Sequence, residues 1–187
     1  MSFLMKSEFL RRLTFPIQLR HLKSSMKSKG GDLDWFNSVD DTVILGAIPL
    51  RNKSPWINEL NLGGVISLNE SHENKKTLSV KEWAELGVTN KKYDIADHVG
   101  AANVAQVTEM INFIKEQEQA GKTVYVHCKA GKGRSASVVM CYLCKKHGIT
   151  PEESFEMLRK KRKQIDLGAR QWHLVRSFCE EVLERGT

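Results

Sequence analysis

From Thr123 to Cys144 the chain reads TVYVHCKAGKGRSASVVMCYLC, three blocks that make different demands on the backbone. TVYVH is a short apolar run of the kind found in strands buried on both faces, as in parallel sheets covered by helices. SASVVMCYLCKKHG is apolar around most of a helical circumference, so its helix belongs in the middle of the fold. The glycine-bearing loop between them therefore joins a buried strand to a buried helix, the position at which open α/β sheets bind ligands.

The neighbouring segments agree with a layered fold. DTVILGAIPL predicts a strand over Val43–Ala47 that leaves through Pro49, GVISLN a second strand, and VTNKKYDIAD an edge strand running to near Asp97. SPWINELNLGG predicts a short helix with Ser54 as cap, Pro55 in its first turn and a glycine stop. SVKEWAELG repeats the pattern, with Ser79 and Glu82 as a capping box and Gly87 as the stop. Val104, Val107, Ile111 and Ile114 mark a long amphipathic helix ended by Gly121. Thr150, Pro151 and Glu153 open another helix, and ARQWHLVRSFCEEVLE closes the chain as a last one. The expected fold class is α/β: a single domain with a central, twisted, mostly parallel sheet of about four to five strands and helices on both faces. The quoted loop lies between the last strand and a central helix.

A pI near 9.3 and a net charge of +7 would suit a nucleic-acid partner if the charge were spread over the domain. It is not. Residues 1–31 hold seven lysines and arginines against one acid, and the remainder is almost balanced, so no nucleic acid is expected. The chain divides into a basic leader, 1–31, and one domain, 32–187. The leader, rich in arginine, serine and bulky apolar residues, has the composition of a mitochondrial targeting segment. Phe9, Leu10 and Leu13 can form an apolar patch beside Arg11 and Arg12, and Pro16 is expected to end any helix there. The leader is expected to be disordered or removed; the alternative is a segment that stays attached and rests on an anionic membrane. No apolar run is long enough to span a bilayer. The sequence does not set an oligomeric state, and a monomer is expected.

Four cysteines, Cys128, Cys141, Cys144 and Cys179, do not space out as a secreted disulfide framework. Cys141 and Cys144 form a C-x-x-C, but no second ligand pair accompanies them, and they fall inside a helix rather than at its N-terminus. They are expected to be small buried side chains, with no metal bound.

The loop itself excludes two readings. Gly131, Gly133 and Ala136 imitate a dinucleotide fingerprint, but the acids about 20 residues on, Glu152 and Glu153, open a helix instead of ending a strand. A nucleoside-triphosphate loop needs G-K-[ST], and Lys132 is followed by Gly133. What remains is Cys128, five residues, then Arg134. Such a loop, Lys129, Ala130, Gly131, Lys132 and Gly133, can turn its N–H groups inward as an anion nest at a helix N-terminus. Cys128 at its base would gain thiolate character from the same groups. The planar fork of Arg134 can grip two phosphate oxygens. Ser135 can donate to the thiolate, and His127 is read as orienting the loop through a hydrogen bond or as a satisfied core histidine.

H-C-x-A-G-x-x-R-S between strand and helix resembles the cysteine-dependent phosphatases, in their dual-specificity branch. WFNSVDDTVILGAIPL, GVISLNESHE, VHCKAGKGRSAS and TPEESFEMLRK are further similar, in order and spacing, to the mitochondrial phosphatases of this branch that act on phosphatidylglycerophosphate. The resemblance implies Cys128 as nucleophile, Arg134 as phosphate and transition-state ligand, Ser135 as thiolate stabiliser, and no metal or cofactor. Asp94 and Asp97 both suit a general acid at a strand end; the resemblance places the role on Asp97, with Gly100 as the flexible point of its loop. NESHE matches an acidic loop near the family's site, with Ser71 and His72 departing from the pattern, so Glu70 and Glu73 are carried as supporting residues.

Lys129 and Lys132 point to a substrate more negative than one phosphomonoester, or else only tune the loop's charge. An anionic phospholipid substrate and peripheral contact with anionic membrane follow from the resemblance, as does a place at the matrix face of the mitochondrial inner membrane. A dual-specificity protein phosphatase, a phosphoinositide phosphatase and a non-catalytic phosphate-binding adaptor are the alternatives. RKKRKQ, Arg159–Gln164, is read either as complementing a helix dipole or as touching membrane.

Overall fold

The structure, a computed structural model, describes residues 7–25, 33–51, 57 and 59–184. Its centre is a five-stranded sheet in the order β1-β2-β5-β3-β4. Four strands run parallel: β2 (Val43–Gly46), β5 (Thr123–His127), β3 (Leu62–Ser67) and β4 (Thr89–Lys92). The fifth, β1 (Phe36–Ser38), pairs antiparallel with β2. It lies in WFNSV, where no strand was expected. Alternation along the central strands sends successive side chains to opposite faces. Val43, Leu45, Val124 and Val126 join one apolar cluster, while Ile44 and Tyr125 join another.

The first face carries α3 (Val104–Gln119), α4 (Arg134–His147), α5 (Pro151–Lys161) and α6 (Ala169–Glu184). Every residue of α4 from Arg134 to Cys144 is buried, as its all-round apolar character requires. Cys141 and Cys144 are among them, as free thiols. Trp83 of α2 (Val80–Glu85) covers the other face with Val65, Val88 and Tyr125. The capping boxes read at Ser79/Glu82 and Thr150/Glu153 are both formed, and each satisfies two helix-end N–H groups.

Three expectations change. The edge strand stops at Lys92, five residues short of Asp97, because its backbone then leaves the sheet to build the loop described below. The short helix expected after Ser54 begins on residues outside those described, and Gly63 and Gly64, expected to end it, lie inside β3. The third change concerns the leader. Residues Glu8–Ser25 are not disordered but form helix α1, and Pro16 lies inside it. An interior proline costs about 3 kcal/mol through its missing N–H and its clash with the preceding turn. Phe15, Leu19 and Leu22 offset that by packing on Ala47, Ile48 and Leu50, each buried side chain contributing about 1.5–3 kcal/mol. The outward face of α1 carries Phe9, Leu13 and Ile17, which stay 71, 63 and 72 % exposed. No described helix is long and apolar enough to cross a membrane.

Candidate active site

β5 delivers His127 and then Cys128 to the carboxyl edge of the sheet, and the chain turns through Lys129–Gly133 into α4. The turn needs glycine at one point above all. Gly131 has φ +66°, and a Cβ there would meet the Gly46 carbonyl at 2.4 Å. Four successive carbonyls of the loop are held from outside. Ile48 N–H donates to Lys129 O (3.1 Å) and Asp166 N–H to Lys132 O (3.0 Å). Arg162 donates to Ala130 O through Nη2 (3.0 Å) and to Gly131 O through Nε (2.8 Å). In a trans peptide the N–H points opposite to the carbonyl it follows. Pinning these carbonyls outward therefore turns the N–H groups of residues 130–133 inward, forming an anion nest at the N-terminus of α4.

Cys128 lies at the base of this cup, 3 % exposed. Burial alone would raise its thiol pKa. The Arg134 guanidinium, the Ser135 hydroxyl donating to Sγ at 3.2 Å and the Ser135 N–H outweigh that and lower it. Arg134 is itself buried and clamped. Glu73 accepts from Nη1 (2.7 Å) and Nη2 (3.2 Å), Ile95 O from Nη1 (2.9 Å), and Asp97 Oδ1 pairs with Nη2 at 2.8 Å. Its Nε is buried without a hydrogen-bond partner among the described residues, an unused donor in a cup built for an anion.

Asp97 is only 14 % exposed at its side chain. Burial would raise its pKa, but the hydrogen bond with His98 and the charges of Arg134 and Lys129 hold it far below the usual carboxylate range. Lys129 bridges Asp97 and Gln18 of α1. Lys132, with Asp97 and Cys128, lines a cavity of about 300 Å³ over the cup. Glu70 and Glu73 stand behind the cup. Glu70 accepts from the backbone N–H of Asp97 (3.0 Å), and Glu73 from that of Glu70 (2.9 Å). His127 is fully buried, with Nε2 2.7 Å from Ser67 Oγ. Burial, more than any other cause, pushes its pKa down to about 3, so it is a neutral strut below the loop.

The site thus gathers every loop residue singled out in the sequence, together with Asp97, Glu70 and Glu73. Asp94 faces elsewhere, accepting from the N–H and hydroxyl of Ser71 at 3.2 and 2.6 Å. Gly100, expected as a flexible point, is a packed one. Its N–H donates to Ala96 O, a Cβ there would lie 2.5 Å from that oxygen, and its own carbonyl accepts from Gln171 at 2.7 Å. Arg162, Gln171 and the α1 residues Arg11 and Gln18 were not singled out for the site. Arg162 was hidden inside RKKRKQ, a run read as complementing a helix dipole or touching membrane; this one arginine is fully buried beneath the loop.

Comparison with known proteins places this arrangement. The profile of the family "Dual specificity phosphatase, catalytic domain" matches residues 43–181. The "Phosphatidylglycerophosphatase and protein-tyrosine phosphatase 1" of Rattus norvegicus is 35 % identical over 154 residues, 81 % of this chain and 80 % of the relative. The protein of the same name from Homo sapiens is 32 % identical over 186 residues, covering 98 and 92 % of the two chains. Among solved structures, "PTPMT1 in complex with PI(5)P" superposes with a TM-score of 0.78 at 33 % identity, over 82 % of this chain and all of that one. The chain belongs to the dual specificity phosphatases, cysteine-dependent hydrolases of phosphoric monoesters.

Proposed function

We propose that the chain hydrolyses phosphatidylglycerophosphate to phosphatidylglycerol, at the surface of an anionic membrane in the mitochondrion, as a step towards cardiolipin. Cys128 attacks phosphorus, the ester P–O bond breaks, and Asp97 gives its proton to the departing alcohol oxygen. Water then attacks the cysteinyl-phosphate. Asp97 takes the water's proton, and Ser135 donates to the leaving thiolate. Arg134 and the loop amides hold the equatorial oxygens throughout. Asp97 must be protonated for the first step. A dianionic phosphate in the cup competes with Asp97 for Arg134 and adds negative charge beside it, and both effects raise its pKa. Lys129 and Lys132 hold the charge of the substrate's second phosphate, and Glu73 fixes Arg134.

The observation that carries the reading is the buried Cys128 thiol, 3.2 Å from the Ser135 hydroxyl, in a cup whose clamped Arg134 keeps an Nε without a hydrogen-bond partner among the described residues. Two further observations support the lipid. Relatives from Rattus norvegicus and Homo sapiens are named for phosphatidylglycerophosphatase activity. A groove of about 790 Å³, walled by Ile17, Leu22, Leu33 and Val99, also runs into the cup, sharing His98, Lys129 and Lys132 with it. It can take the apolar part of a phospholipid whose phosphomonoester lies on Cys128. The exposed Phe9, Leu13 and Ile17, on a helix that also carries Arg12 and Arg20, suit shallow insertion among anionic headgroups. We assign residues 1–31 as a mitochondrial address and 32–187 as the phosphatase domain.

Phosphate release by the full chain from mixed micelles tests the substrate, with Cys128→Ser as blank. Phosphatidylglycerophosphate should be preferred at least about tenfold over a phosphotyrosine peptide and a phosphoinositide panel, the low end of what differing pocket contacts discriminate. The solved relative bound to PI(5)P favours a phosphoinositide as the second reading; a win for that panel would move the assignment there. Retention of the fluorescently fused chain in the cytosol would remove the mitochondrial assignment.

A further inference from the structure

Helix α1 reaches the reaction centre through a buried ion pair. Arg11 is 7 % exposed and lies on the inward face with Phe15, Leu19 and Leu22. Its Nε lies 3.1 and 2.9 Å from the two oxygens of Glu70, and its Nη2 donates to Oε1 at 2.9 Å. Glu70, 5 % exposed, receives these bonds from a residue 59 positions away. Its Oε2 also accepts the backbone N–H of Asp97, while its own N–H goes to Glu73, the carboxylate that clamps Arg134. One chain of contacts therefore runs from α1 through Glu70 to the peptide that carries Asp97, and a branch runs to the arginine of the cup.

A carboxylate this deeply buried keeps its charge and its place only while a cation pairs with it. Arg11 is that cation, with a planar fork that fixes the orientation of the carboxylate as well as its charge. Burial would raise the pKa of Glu70, and the hydrogen bonds from Arg11 reverse this. If Arg11 is lost, Glu70 must either take a proton or rotate towards water. Either change weakens or breaks the bond that holds the Asp97 peptide, and the carboxyl that must meet the leaving oxygen loses its anchor.

We propose that Arg11 is a positioning residue for the general acid, acting through Glu70, so that α1 is a working part of the catalytic unit. The inference rests on the reading of Asp97 as the acid. It also requires α1 to stay attached in the active enzyme, since cleavage beyond Arg11 would remove the guanidinium.

The test uses the dependence of rate on the leaving group. A nitrophenolate leaves with little help from an acid, whereas an alkoxide or plain phenolate needs the proton. A fault in the acid therefore slows only the second kind, while a general loss of structure slows both. The full chain would be assayed as wild type, Arg11→Gln, Arg11→Lys, Glu70→Gln and Asp97→Asn. The reading is kcat/KM on 4-nitrophenyl phosphate and on phenyl phosphate, at a temperature where melting curves show each variant folded. Arg11→Gln and Glu70→Gln should lose about tenfold on phenyl phosphate, part of the roughly 10²-fold that a small misplacement of a catalytic group can cost. Their loss on 4-nitrophenyl phosphate should stay below about twofold, and Arg11→Lys, which keeps the charge without the fork, should fall between wild type and Arg11→Gln. If Arg11→Gln does not fold, Arg11→Lys decides by the same ratio. Equal losses on the two substrates, or none on either, overturn the proposal. If Asp97→Asn is also insensitive to the leaving group, the acid assignment falls with it. If Asp97→Asn is sensitive and the Arg11 variants are not, only the role of Arg11 falls.

Discussion

Arg162→Met gives the sharpest test of how the cup is built, because it changes nothing that substrate can touch. The guanidinium, fully buried, donates to Gly131 O at 2.8 Å, Ala130 O at 3.0 Å, Asn37 Oδ1 at 2.7 Å and Asp34 O at 3.2 Å. Methionine keeps most of the stem's packing and removes all four bonds. Each buried acceptor left without a donor costs about 1–3 kcal/mol. Against this, removal of the buried cation relieves desolvation, which already pulls the Arg162 pKa down. A net loss of about 3 kcal/mol follows, and a domain of this size should melt about 6–12 °C lower. The larger effect is on rate. With Ala130 O and Gly131 O unpinned, the peptides between them can rotate and the inward N–H groups lose their aim. A displacement of about 1 Å at such a centre costs on the order of 10²-fold in kcat/KM. The assay is 4-nitrophenyl phosphate hydrolysis beside a melting curve, well below the variant's transition. Arg162→Lys, a single point donor, should recover part of both losses. A variant that melts lower yet keeps kcat/KM within about twofold of wild type would refute the claim that Arg162 shapes the nest.

Asp97→Asn should slow turnover of an alkyl phosphomonoester about 10²–10⁴-fold, while Asp94→Asn, whose side chain only caps Ser71, should leave the rate unchanged; steady-state kinetics on both decides. Ser135→Ala removes a donor that favours the thiolate, so the pH midpoint of Cys128 alkylation by iodoacetamide should move up, and no shift would remove Ser135 from that role. His127 is held neutral, with its pKa down at about 3. The unfolded chain binds the extra proton first, so the stability due to this group is intact above about pH 6.5 and declines as pH falls towards 3, by at most about 1.4 kcal/mol per unit. Urea unfolding at pH 7 and pH 5 should show that decline in wild type and a shallower one in His127→Gln. Phe9→Asp with Leu13→Asp should weaken binding to anionic vesicles in a sedimentation assay yet leave 4-nitrophenyl phosphate hydrolysis within about twofold, since both side chains face outward and neither lines the groove or the cup.

The residues proposed as nucleophile and phosphate ligand stand out in the sequence because their relation is local. Cys128 and Arg134 are joined by one loop whose ends are set by a buried strand and a buried helix, and both elements announce themselves through periodicity and apolar character alone. The capping boxes are legible for the same reason, since a box closes within four residues. The family resemblance added Asp97, Glu70 and Glu73, which spacing by itself did not separate from solvated acids such as Asp94.

What holds that site in place was not legible. Arg162 reads as one cation in a basic run, and only the return of the chain after α5 puts it under carbonyls 31 and 32 residues away. Gln171 gains its meaning from the Gly100 carbonyl, 71 residues distant. The leader shows the limit most clearly. Its composition was read as that of an addressing segment, and its proline argues against a helix. Yet Phe15, Leu19 and Leu22 find Ala47, Ile48 and Leu50, and Arg11 finds Glu70. Local propensity and charge pattern are properties of neighbours in the chain, so the strand, the helix and the loop between them could be read without the tertiary structure. The partners that order α1 and pin the loop carbonyls come together only when the sheet is complete, because burial and ion pairing depend on distance in space.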